Sequence, residues 1–161
     1  MTGGYQFTDR TDAGEQLAAT LRERDLDPDI VLAIPRGGLP LGRAVADAFG
    51  VPLDIAVAKK VGAPGNPEFA IGAVASDGSV WRNESAVRGD GTEEYFETQR
   101  PEVAERAREK ADRYRGGRPE PDLTGKRVVL VDDGVATGAT ARACLIRTAV
   151  SLYRSAQQSQ G

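Results

Sequence analysis

Short apolar runs punctuated by turn residues alternate along this chain with stretches of helical periodicity. Ile30-Val31-Leu32-Ala33-Ile34 and Val128-Val129-Leu130-Val131 are continuous, charge-free and rich in β-branched residues, the pattern of strands buried on both faces. Leu53-Asp54-Ile55-Ala56-Val57-Ala58 reads as a further strand, ended by Lys59-Lys60. Thr11-Asp12 is placed to cap a helix carrying Leu17, Ala18 and Leu21 and ending near Asp27-Pro28. Pro40 suits the first turn of a second helix, whose face is Leu41, Ala44, Val45, Ala48 and Phe49, with Gly50 as its stop. Ile71 to Ala75 and Val80-Trp81 flank Asp77-Gly78 as a hairpin would. Thr92-Glu93-Glu94 opens a longer helix whose stripe is Phe96, Val103, Ala107, Ala111 and Tyr114, kinked at Pro101. Tyr114 to Pro121 reads as a linker, roughly Thr140 to Tyr153 as a last helix, and Arg154 to Gly161 as a polar tail.

The chemistry-bearing residues fall where strands end. Val128–Val131 runs into Asp132-Asp133, then into a turn of Gly134, Thr137, Gly138 and Thr140, then into a helix. Unpaired N–H groups at a helix start, the helix dipole and close-approaching glycines together make an anion site. Two acids there would repel a phosphate unless they faced sugar hydroxyls or a divalent cation. Neither G-x-x-x-x-G-K-[ST] nor G-x-G-x-x-G occurs in this stretch. Arg36-Gly37-Gly38 follows the strand Ile30–Ile34, at the edge where open α/β sheets bind ligands. Lys59-Lys60 leads into the turn-rich Gly62-Ala63-Pro64-Gly65-Asn66-Pro67-Glu68, which has the character of a mobile loop. Strand alternation sends the two lysines to opposite faces, and Lys60 is preferred as the ligand-facing one.

Composition narrows the class. At 161 residues, 40% hydrophobic and 28% charged, the chain has the size and make-up of one globular domain. A net charge of −3 argues against a general nucleic-acid binder. No run approaches the roughly 20 apolar residues of a membrane span, and the N-terminus lacks a secretory pattern. The single cysteine, Cys144, forbids an internal disulfide and suits a reducing, cytoplasmic setting. Histidine is absent, which removes Ser-His and Cys-His catalysis and a His-ligated zinc.

The stretch Val128 to Thr140 closely resembles the phosphoribosyl pyrophosphate (PRPP) motif of the type I phosphoribosyltransferase superfamily. Ile34–Gly38, Lys60–Glu68, Tyr114–Pro119 and Asp132–Thr140 further resemble, in order, the I-P-R-G-G, K-x-G-x-P-x-N-P-E, Y-R-G-G-R-P and D-D-G-x-A-T-G-A-T blocks of one branch. The resemblance implies a three-layer α/β/α, Rossmann-like fold with a mostly parallel sheet. It implies a single domain over 1–161, with a lid at about 61–90 and a tail at about 154–161. It implies transfer of ribose 5-phosphate from PRPP to a small nitrogen acceptor in nucleotide metabolism, with Mg²⁺ and release of pyrophosphate. On that resemblance Gly134, Val135, Ala136, Thr137, Gly138, Ala139 and Thr140 grip the 5-phosphate. Asp132 and Asp133 take the ribose hydroxyls and the metal, directly or through water, while Arg36, Gly37, Gly38 and Lys60 hold the pyrophosphate. The 6-oxopurine members carry an acid where this chain has Ala136. Members of the branch also continue with two more strands where this chain ends, so the sheet is expected to lack its last strands and to leave Val128–Val131 at an open edge. Pairing with a second copy in a homodimer would close that edge. A non-catalytic PRPP-binding regulator and an inactive shortened product are the competing readings; no nucleic-acid or membrane partner is expected.

Overall fold

The computed structural model describes residues 7–88, 91–134 and 139–145. Val135, Ala136, Thr137 and Gly138 of the expected phosphate loop, and residues 146–161 of the expected helix and tail, lie outside the described residues. Two compact units emerge: the first takes residues up to Asp54 with Lys126–Gly134, the second Ile55–Gly125 with 139–145.

In the first unit α1 (Arg10–Glu23), β1 (Ile30–Ala33), α2 (Gly38–Phe49) and β6 (Val128–Val131) build around a parallel pairing of β1 with β6. Ile30 lies opposite Val128 and Ala33 opposite Val131. The sheet order is β2-β1-β6, with β2 at Leu53–Ile55. Lying between two strands, β1 is buried along its whole length, as its unbroken apolar run requires. β6 departs from the expected burial on both faces. Val128, Val129 and Leu130 are only half-buried, because β6 ends the sheet among the described residues. Val31, Val131, Leu41, Val45, Ala46 and Ala18 form the core where α1 and α2 cover the sheet. The two helices approach so closely that a Cβ on Gly14 would stand 2.7 Å from Ala44 Cβ and 2.8 Å from Leu41 O. α1 begins one residue before the expected Thr11-Asp12 cap. Asp9, with an extended backbone, accepts from Asp12 N–H at 2.8 Å, and Asp12 in turn accepts from Thr8 N–H at 2.9 Å. α2 stops as expected at Gly50, whose φ is +64°.

The second unit is an antiparallel sheet, β3 (Ala58–Ala63), β4 (Asn66–Ala75) and β5 (Val80–Arg82), packed on α4 (Thr92–Arg115), with the short α3 at Glu84–Val87. Phe96, wholly buried, anchors that packing with Val61, Ile71, Val74 and Val103. The run Leu53–Ala58 is not one strand: it splits between β2 and β3, which belong to different sheets. Lys59 and Lys60 therefore sit inside β3 and end no parallel strand. The turn-rich Gly62–Glu68 is a hairpin, reversed at Gly65 with φ +78°. The hairpin around Asp77-Gly78 forms as expected, with Val74 paired to Val80. α4 runs unbroken through Pro101, and its stripe of Phe96, Val103, Ala107 and Ala111 is buried. Arg115 is no linker residue. It ends α4 only 9% exposed, its Nη2 3.3 Å from the Ile55 carbonyl oxygen.

Candidate functional site

At the carboxyl edge of the parallel pair, Ile34 N–H donates to Val131 O at 2.9 Å and carries the ladder one residue beyond β1. The chain then turns through Pro35, Arg36 and Gly37, with a cis peptide between Pro35 and Arg36, into α2, where Gly38 N–H donates to Ile34 O at 3.0 Å. This turn lies directly against the residues that follow β6. A Cβ on Gly38 would stand 2.8 Å from Val131 O and 3.3 Å from Asp132 Cα, and one on Gly37 would overlap the Asp133 carboxylate. Both positions thus need glycine for close approach, not for an unusual φ. The glycine loop and the acid pair, far apart in the chain, form one surface.

The acids differ in surroundings. Asp132 is half-buried and accepts from Asp133 N–H at 2.8 Å. Its carboxyl is held above the usual range, first by burial and then by the neighbouring Asp133 side chain; the Asp133 and Gly134 N–H groups pull the other way. Asp133 accepts at one oxygen, Oδ2, from Arg10 Nε at 3.2 Å and Nη2 at 3.0 Å. Beside them opens a cavity of about 600 Å³, walled by Phe7, Ala13, Leu17 and Leu41. Such a surface offers oxygen acceptors to hydroxyl donors or a hard cation, next to an apolar slot. No cluster of three or more His, Cys, Asp or Glu able to hold a metal exists among the described residues.

Of the residues singled out in the sequence, Gly37, Gly38, Asp132 and Asp133 come together here. Arg36 belongs to the same turn, exposed and without an ion pair among the described residues. Gly134 follows the acids, exposed and uncrowded. Lys60, Ala139 and Thr140 belong to the second unit. Lys60 is exposed and pairs with Glu68 at 3.4 Å, whereas Lys59 is half-buried, as alternation along β3 requires. Ala139 is buried and Thr140 half-buried in the helical segment 139–145. Sequence reasoning passed over Arg10. A signal was available: Arg10 opens α1, and a cation is disfavoured at the positive end of a helix dipole. A basic residue at such a place asks for a tertiary partner, and Asp133 is that partner.

These features define an α/β protein with a glycine loop and two acids at the carboxyl edge of a parallel strand pair. The phosphoribosyl transferase domain family matches residues 6–159, and the chain belongs to that family. Two Mycobacterium tuberculosis proteins, each named "Putative phosphoribosyl transferase" (MT0597 of strain CDC 1551 / Oshkosh and Rv0571c of strain H37Rv), are 43% identical over 139 residues. The match covers 85% of this chain but 31% of each relative, so the chain spans about a third of their length. The crystal structure of TT1426 from Thermus thermophilus superposes with a TM-score of 0.75 at 42% identity, covering 91% of this chain and 70% of that one. Among the described residues no helix is long and apolar enough to cross a membrane.

Proposed function

We propose that this chain transfers ribose 5-phosphate from PRPP to a nitrogen acceptor. The bond from ribose C1 to pyrophosphate oxygen breaks, the bond from C1 to the acceptor nitrogen forms, and that nitrogen's proton passes to solvent. The observation that carries the reading is the seating of Gly37 and Gly38 against Asp132 and Asp133. One face thereby offers backbone amides and an arginine to a polyphosphate and carboxylates to a diol. Asp132 and Asp133 accept from the ribose hydroxyls, and Arg36 balances the charge that grows on departing pyrophosphate. The loop from Gly134 to Thr140 holds the 5-phosphate by its amides and threonine hydroxyls. Positioning and electrostatics suffice for such a step, so the absence of histidine is no obstacle.

Asp132 and Asp133, adjacent carboxylates with hard oxygen donors, would hold a Mg²⁺ ion, directly or through water. Burial first, and then the adjacent Asp133 side chain, hold the Asp132 carboxyl above its usual range, and a cation beside it would favour the ionised form. When bound, Mg²⁺ supplies positive charge to the pyrophosphate oxygens. Calorimetry with PRPP plus Mg²⁺ tests the reading, beside a pyrophosphate-release assay over a panel of bases. The Asp132→Asn, Asp133→Asn double variant is expected to lose about 100-fold or more in PRPP affinity and all release. Wild-type affinity and turnover in that variant would remove the mechanism.

A further inference from the structure

Arg10 is attached to the acid pair in a lopsided way. Its Nε and Nη2 both donate to Asp133 Oδ2, at 3.2 and 3.0 Å, and Asp133 Oδ1 has no hydrogen-bond partner among the described residues. The same carboxylate lies against Gly37, so Arg10 at one oxygen and a bare Cα beneath it fix its direction. Asp132 is surrounded differently. It accepts from the Asp133 N–H at 2.8 Å and has no ion pair among the described residues. Folding gains little from the Arg10 contact, because Arg10 is 61% exposed and opens α1 against the helix dipole.

We propose that Arg10 is a positioning residue, which reserves Asp133 for a sugar hydroxyl by withholding that carboxylate from the divalent cation. The inference rests on the phosphoribosyl reading above and divides between the two acids the roles given to them jointly. A guanidinium and a hard cation compete for one carboxylate, so the resident arginine lowers what Asp133 offers a metal. Asp132, which meets backbone amides and no cation, carries the Mg²⁺ instead. Asp133 keeps Oδ1 as an acceptor in a set direction, as a hydrogen bond from a hydroxyl requires. With the ion bound, each acid then has one positive neighbour, Mg²⁺ at Asp132 and Arg10 at Asp133.

Arg10→Gln and Arg10→Lys test this on the full chain. Mn²⁺ binding without PRPP is followed by electron paramagnetic resonance, and PRPP binding by calorimetry at saturating Mg²⁺. Neither change touches the cap between Asp9 and Asp12, and a wild-type melt checks the fold. Arg10→Gln opens Asp133 to the metal, so Mn²⁺ should bind about threefold to fivefold more tightly, the worth of an exposed pair. PRPP should bind at least about fivefold more weakly in the same variant. Arg10→Lys keeps the charge and loses the planar fork, so Mn²⁺ affinity should stay within about twofold of wild type while PRPP is still weakened severalfold. With Asp133→Asn already in place, Arg10→Gln should no longer tighten Mn²⁺ binding. Both affinities falling together in Arg10→Gln would mark a merely structural arginine and overturn the proposal. So would unchanged Mn²⁺ affinity in that variant, or no Mn²⁺ binding in any. Wild-type PRPP affinity in Arg10→Lys overturns it in favour of charge alone, and the same Mn²⁺ gain beside Asp133→Asn overturns it in favour of repulsion at a distance. A wild-type chain that binds no PRPP refutes the phosphoribosyl reading, while the Mn²⁺ shifts still decide whether Arg10 withholds Asp133 from a metal.

Discussion

Replacing Gly37 or Gly38 with alanine adds the same methyl group to neighbouring positions, and the structure requires different consequences. Gly37 precedes α2 with φ −64° and ψ −29°, a conformation alanine adopts freely, so the backbone gains roughly 0.5–1 kcal/mol from reduced unfolded-state freedom. The new Cβ overlaps the Asp133 carboxylate, the end of a flexible side chain, which must move by on the order of 1 Å to regain ordinary contact. That movement loosens an exposed ion pair with Arg10 worth about 0.2–1 kcal/mol. The two terms nearly cancel, and the melting temperature of Gly37→Ala should stay within a few degrees of wild type. Ligand binding should not survive as well, because a misplacement of about 1 Å at a reacting geometry costs on the order of 100-fold. At Gly38 the obstacle is backbone: Val131 O at 2.8 Å and Asp132 Cα at 3.3 Å belong to β6 and its exit. They yield only if the strand shifts, so Gly38→Ala should lose about 1–3 kcal/mol, the ordinary cost of overpacking, and melt well below wild type. Differential scanning calorimetry paired with PRPP titration in Mg²⁺ separates the two outcomes. Wild-type PRPP affinity in Gly37→Ala, or a wild-type melt in Gly38→Ala, refutes the placement of this loop against the acids.

Further outcomes follow from single contacts. Asp132 is held above its unfolded value of 3.8, so its ionised form is penalised in the folded state above that pH and unpenalised below it. Asp132→Asn, which still accepts from Asp133 N–H, should melt higher than wild type at neutral pH, with the gap closing as pH falls toward 3.8; a gap that widens on acidification contradicts this. Asp29 is shifted the other way, chiefly by the Arg127 N–H at 2.7 Å and then by its guanidinium, so its contribution exists above pH 3.8 and disappears as pH drops through its lower folded value. Asp29→Asn should flatten the acid limb of the stability curve, and an unchanged limb would show that this link between the starts of β1 and β6 contributes nothing. Arg115→Met deprives the Ile55 carbonyl of a buried charged donor and should cost about 2–3 kcal/mol, or roughly 5–10 °C in melting temperature. A shift under a degree would show that the Arg115 contacts with Ile55 and Glu120 contribute nothing to stability.

How much of this could be read beforehand depends on whether the signal was local. β1 and α2 were legible because burial on both sides demands an unbroken apolar run and because Pro40 and Gly50 punctuate the helix. The division of Leu53–Ala58 was not, since Ala56 and Val57, between the two strands, are as buried and apolar as the strands themselves. A continuous apolar run carries no mark of which sheet each part joins. The hairpin at Gly62–Glu68 was hidden for the opposite reason. Its glycines and prolines read locally as loop, and the strand exists through pairing with β3, where a Cβ on Gly62 would stand 2.6 Å from Pro67 Cα. Within the site, the glycine loop and the acids were legible because their spacing after strands is itself the signal. Arg10 was missed because its partner lies 123 residues away.

Magnitudes bear on why the arrangement around Asp133 exists. Opening α1 with Arg10 opposes the helix dipole by about 0.3–1 kcal/mol. Its exposed pair with Asp133 returns about 0.2–1 kcal/mol, so the two roughly cancel. Asp132 adds a penalty at neutral pH, and Gly37 forgoes the backbone stabilisation of an alanine, a gain that loosening of the Arg10–Asp133 pair would offset. None of these three choices gains folding stability, yet all three meet within one small surface at the carboxyl edge of β1 and β6. Breaches of local preference that gather at one place, with no stability in return, are what a binding site requires of its scaffold. The same residues in a merely structural turn would be free to relax to a neutral side chain at 132, an alanine at 37 and an acid or serine at the head of α1. The clustering therefore fits the binding role proposed for this surface better than it fits a merely structural turn.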